Sequence, residues 1–192
     1  MLYLQSLCLA LSLVACSTPE RTEPEQAPEA PTDLSGWRSE RIALPPEFAP
    51  SLPEGEELLL FAPGMFDPQA EDFWSYVFLM QVEWSDVDSH RLTSLFEAYF
   101  DGLLLSVAKG SGADIGTNPA HVNVLPIDDL HYSIEVILID AFGTLETIKL
   151  HVLVEVEHED AGGLLLGVQA SPQPSTHPIW RDLSAALGSL SL

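Results

Sequence analysis

Cations are scarce in this chain. Seven residues of 192 are Lys or Arg against 29 Asp or Glu, a formal net charge of −22. Lysine occurs only at Lys109 and Lys149. Nucleic-acid binding is excluded, because phosphate is neutralised by clustered Lys and Arg. Attachment to anionic lipid through a basic patch is excluded for the same reason. Charged residues make up 19% of the chain, less than the usual quarter, so cations are missing more than acids are in excess. Solubility in salty or external surroundings accounts for this; a cationic partner or a divalent metal is the sharper alternative. Cysteine is nearly absent too. Cys8 and Cys16 are the only two, so beyond residue 16 there is no thiol nucleophile and no disulfide, and folding rests on the hydrophobic core. The longest apolar stretch, Leu2 to Val14, is broken by Gln5, Ser6 and Ser12. It falls short of the roughly 20 apolar residues that a membrane-spanning helix needs.

That stretch has the length and position of an export signal's apolar region, and it ends in Leu13-Val14-Ala15-Cys16. These residues resemble the lipobox of bacterial lipoproteins, a resemblance confined to about the first 16 residues. It implies thioether lipidation of Cys16, removal of residues 1–15 as a signal peptide, and acylation of the new amino terminus with palmitate-type chains. The departure from the pattern is a start without Lys or Arg. Each buried methylene contributes about 0.8 kcal/mol, and two or more chains anchor a protein stably. By the same resemblance, Ser17 after the cysteine points to the outer membrane of a two-membrane host.

Residues 16–36 read as the lipidated cysteine and a tether. From Ser17 to Asp33 Pro alternates with Glu, Thr, Ala and Gln, and almost no large apolar side chain is present. Such composition cannot offset its ordering entropy. Stretched in polyproline geometry it reaches on the order of 50 Å. Residues 37–192, about 155 of them, suit one domain with a full core. Trp37 to Pro53 reads as an extended lead-in, with Ile42, Leu44 and Phe48 available to dock.

Within the domain, Glu57 to Ala62 is a short strand candidate, ended by Pro63-Gly64. Phe73 to Trp84 alternates with period two and is rich in aromatics, as a half-buried strand is. Leu92, Leu95, Phe96, Tyr99, Leu103 and Val107 recur every three or four residues and predict a helix over 85–109. Asp86 or Asp88 suits its cap and Gly110 its stop. After a Gly-rich loop at 110–118 come three strand candidates, at 131–141, 147–157 and 164–170. Thr176 or His177, followed by Pro178, predicts the start of a last helix with Ile179, Leu183 and Leu187 inward. The expected fold is α+β, a single antiparallel sheet of about five strands with two helices packed on one face. The segments Phe61-Ala-Pro-Gly-Met-Phe66 and Ser171-Pro-Gln-Pro174 look like those of uncharacterised bacterial exported proteins, a likeness that supplies no activity.

Chemical motifs are few. Gly110-Ser-Gly112…Gly116 has the wrong spacing for a dinucleotide loop, and no Gly-Lys-Ser or Gly-Lys-Thr occurs. Asp86, Asp88 and His90 mimic a calcium loop, but Arg91 stands where that loop needs glycine. Glu155 and Glu157 share a strand face within the densest acidic cluster, which makes them the candidate divalent-cation ligands. The six histidines lack zinc-type spacing, and there is no Gly-x-Ser-x-Gly elbow. Neither a catalytic residue nor a cofactor is expected. Pro63, Met65, Phe66, Phe73 and Trp74 crowd one loop and are the candidate recognition residues; plugging a sheet end is the competing role. The functional expectation is a non-enzymatic binding module, exported and held on a membrane through Cys16, that contacts another envelope component. The alternatives are a hydrolase with a site assembled from distant residues, and a weak divalent-cation binder.

Overall fold

Alternating apolar residues dominate the chain from Arg38 onward, and they build one seven-stranded antiparallel sheet flanked by two helices. The computed structural model describes residues 33–159 and 162–192. The expected signal peptide, Cys16 and most of the expected tether lie outside the described residues, as does Asp160 of the acidic cluster. The elements are β1 (Arg38–Leu44), β2 (Gly55–Phe61), β3 (Tyr76–Val82), α1 (Ser89–Ser111), β4 (Ala120–Pro126), β5 (His131–Ile139), β6 (Thr147–His158), β7 (Leu164–Ser171) and α2 (Ile179–Leu187). The protein is thus of α+β type.

Two strands beyond the expected five complete the sheet. Arg38 to Leu44, read from the sequence as a docked lead-in, pairs in register with Phe61 to Gly55. Ala120 to Pro126, hidden behind a Gly-rich loop and bracketed by Pro119 and Pro126, pairs with Leu138 to Tyr132. Both are edge strands, where proline and charge are tolerated because one side of the backbone needs no partner. The order is β1-β2-β3-β7-β6-β5-β4. Two meanders therefore meet at β7, which pairs with β3 on one side and β6 on the other.

The helices lie on opposite faces, which corrects the expectation of one shared face. The reason is legible in β3: Tyr76, Phe78 and Met80 are buried on one side, and Val77 is buried on the other. α1 covers the first side, with Leu92, Leu95, Phe96, Tyr99, Phe100 and Leu104 buried in the main core. α2 covers the second side through Ile179, Trp180, Leu183 and Ala186, packed on Val77 and Leu60 with Leu34 and Trp37. Beyond α2 the second face stays open across β4–β6, where Leu125, Ile137 and Leu153 are exposed.

Local chemistry sets the helix ends. Asp88 accepts a hydrogen bond from the Arg91 amide at 2.7 Å and caps α1. Its stop is Gly112 at φ 75°, two residues past the expected Gly110. At the start of α2, Pro178 takes the cap position, and His177 Nδ1 accepts from the Ile179 amide at 3.2 Å. Among the described residues no helix is long and apolar enough to cross a membrane.

Candidate functional site

The sequence-predicted aromatic loop connects β2 to β3 and is folded tightly back on itself. Gly64 N–H donates to Asp72 Oδ2 at 2.9 Å, and Trp74 N–H donates to the Met65 carbonyl at 3.1 Å. Trp74 sits at φ 51°, a left-handed backbone that a bulky side chain adopts only when its surroundings impose it. The imposing contact is remote in sequence. Its indole Nε1–H donates to Asp140 Oδ1 at 3.1 Å. Asp140, fully buried at the end of β5, also accepts from the Phe142 and Thr144 amides and from the Thr144 hydroxyl. One carboxylate thus joins the β2–β3 loop to the β5–β6 turn.

The five candidate recognition residues divide by depth. Trp74 and Met65 are buried, Phe73 is half-buried, and Pro63 and Phe66 are exposed. Trp74 and Met65 form wall and floor; Phe66, 46% exposed, stands at the rim. Opposite it is Phe142, 39% exposed and 5.5 Å from the Phe66 ring. Phe142 also meets Trp74 edge-on at 5.4 Å. Between these rings and α1 lies a cavity of about 160 Å³. Phe48, Phe61, Tyr76 and Tyr99 supply further aromatic wall, with Ile42, Leu59 and Leu103 between them. Its one charged lining residue is Glu40. Just outside, the Arg38 guanidinium lies over the Phe66 ring, 5.2 Å from its centroid.

Behind the wall sits Glu57. It is in phase with Leu59 and Phe61 on β2, flanked by Ile42 and Met80 on the neighbouring strands, and has no exposed surface. Neither carboxyl oxygen has a hydrogen-bond partner. The Tyr99 hydroxyl faces the carboxyl and offsets a little of the cost without closing an ordinary hydrogen bond. Burial pushes the Glu57 carboxyl up to about 8, and the Glu40 charge adds to the rise. At neutral pH it is therefore mostly protonated. Tyr76 and Tyr99, buried beside it, are held far above the ordinary phenol range by burial and then by Glu57.

Glu57, Asp140 and Phe142 escaped the sequence reading. A charged residue in phase with Leu59 and Phe61 was the available signal for the first. For Asp140 it was a carboxylate at a strand end, three residues before Gly143-Thr144, a position suited to bonding turn amides. Nothing local marked Phe142.

The acidic pair lies elsewhere. Glu155 and Glu157 are exposed on the α2 side of the sheet, lining a groove beside Leu187 and Gly188. Glu155 Oε1 is 3.8 Å from His131 Nε2, and His131 Nδ1 bonds Asp128 at 2.8 Å. The Asp128 hydrogen bond, with smaller help from Glu155, raises the His131 imidazole above its ordinary value. Among the described residues no three His, Cys, Asp or Glu side chains are grouped to hold a metal ion. Asp86, of the loop that mimics a calcium site, instead pairs with Arg91 at 2.7 Å.

No protein-family model, curated protein or solved structure matches this chain.

Proposed function

We propose that this is a non-enzymatic binding module of a lipid-anchored envelope protein, and that its ligand enters the aromatic pocket between the β2–β3 loop and α1. The observation that carries this reading is the pocket itself. Seven aromatic side chains line about 160 Å³, and two of them, Phe66 and Phe142, stand exposed at its mouth. Exposed rings over a concave apolar floor favour recognition over simple plugging, because a plug buries its rings. The loop is fixed by Asp140, so the pocket is formed before any ligand arrives, which lowers the ordering cost of binding.

The hydrolase alternative gains no support. His131 bonds Asp128 and His177 bonds a backbone amide, and neither arrangement includes a serine. The divalent-cation alternative rests on Glu155 and Glu157, and among the described residues no third carboxylate, His or Cys is grouped with both to hold an ion.

Anchoring through Cys16 places such a pocket near a membrane, within reach of envelope components. A photocrosslinking residue at Phe66 in the native cell tests the reading: a captured component that Phe142→Ser releases supports it. Labelling that is unaffected by Phe142→Ser counts against the pocket. Phe66 and Phe142 suit this test better than Trp74, whose removal would dismantle the loop.

A further inference from the structure

The pocket's polar complement goes beyond an apolar cavity. Resting on the binding-module reading, we propose that this pocket takes a quaternary ammonium headgroup, held by its aromatic walls and by the Glu40 carboxylate, with the buried Glu57 carboxyl responding to the added charge from behind Tyr99. Three observations converge. Aromatic rings dominate the wall, and their π-faces attract a cation, most strongly where water is excluded. The chain already shows that attraction at the rim, where the Arg38 guanidinium lies over Phe66. Glu40 is the charged residue that lines the cavity, Glu57 is buried against the lining residue Tyr99, and the nearby cation Arg38 is already seated outside on Phe66. Among the described residues no Lys or Arg lines it.

Glu57 is the sharper clue. A carboxyl with no exposed surface and no hydrogen-bond partner is costly, and an apolar side chain would fit β2 better. Groups that break local folding rules cluster at functional or strained sites. A cation in the pocket supplies compensation, because it favours the ionised form of Glu57 across Tyr99. Glu40, Tyr76 and Tyr99 are the other titratable groups facing that carboxyl. The size is consistent too: about 160 Å³ is below the roughly 300 Å³ of the smallest drug-sized sites and suits a headgroup.

The test is calorimetry on the full-length protein with choline and with its neutral isostere 3,3-dimethyl-1-butanol. Choline should bind at least about tenfold more tightly than the isostere. Its heat should depend on the ionisation enthalpy of the buffer, because Glu57 releases a proton. Glu57→Gln should abolish the proton release and weaken choline about five- to tenfold, and Glu40→Gln should weaken it without abolishing the release. Equal binding of choline and isostere, or choline affinity unchanged in both variants, overturns the cation inference and leaves an apolar pocket. Binding of neither molecule overturns the pocket reading as well. Phosphatidylcholine vesicles, run beside free choline, separate a membrane headgroup from a dissolved solute; preference for either supports the inference.

Discussion

At Glu57 the protein's stability is tied to pH. Its folded-state value of about 8 lies above the ordinary 4.5. Below about pH 4.5 the group is protonated folded and unfolded and contributes no pH dependence. Between there and pH 8 the unfolded chain ionises while the folded chain keeps its proton. Stability falls over that window by as much as about 1.4 kcal/mol per pH unit. Urea midpoints at pH 5 and pH 8 should therefore show the wild type losing up to about 4 kcal/mol relative to Glu57→Gln. A constant gap between the two proteins would mean that the carboxyl is ionised when buried. Asp140, also a buried acid, differs in being fully bonded, since it accepts four hydrogen bonds. Asp140→Ala strands the Trp74 indole and the turn amides, and denaturant unfolding should register a loss of about 3 kcal/mol. A quarter of the pocket lining, Met65, Phe66 and Trp74, was readable from the sequence because these residues are close along the chain; Pro63 and Phe73, predicted with them, do not line it. The rest comes from β1, Phe48, β2, β3, α1 and the β5–β6 turn, brought in by pairings that no local pattern encodes.

Among the elements, α1 offers a clean contrast between two of its glycines. Gly102 is packed against the segment before β2, and a Cβ there would collide with the Phe48 carbonyl oxygen. Gly110 faces open space. Gly102→Ala should lower stability by roughly 2 kcal/mol in spite of alanine's helix preference, and Gly110→Ala should raise it by about 0.5–1 kcal/mol. Thermal melts of the two variants moving in the same direction would refute this packing. The central elements were legible because their periodicity is unbroken: β5, β6 and α1 show plain spacings of two or of three and four. The edge strands β1 and β4 were not. β1 carries Arg38, Glu40 and Arg41, and among the described residues its one strand partner is β2; β4 follows a Gly-rich loop and is bounded by Pro119 and Pro126. The split of the helices between faces was hidden as well. It depends on β3 being apolar on both sides, and alternation of aromatics along one side drew the eye away from Val77.

For the molecule as a whole, a charge of −22 repels anionic head groups, so the proposed anchoring depends on acyl chains and not on electrostatics. On the anchoring proposal, intact-mass analysis of the native protein should show residues 1–15 removed and acyl chains added at Cys16. Cys16→Ser should move the protein from the membrane fraction to the soluble one. An unmodified Cys16 in material taken from the membrane fraction would sink that proposal.

The placement of β7 has a consequence for biogenesis. Its residues, Leu164 to Ser171, follow the other six strands in sequence yet zip together the middle of the sheet. Without them, β1–β3 and β4–β6 are two half-sheets, each with a raw inner edge, connected along the chain through α1. On the export proposal, that order suits passage lengthwise through a narrow channel, because the full sheet closes only once β7 is available.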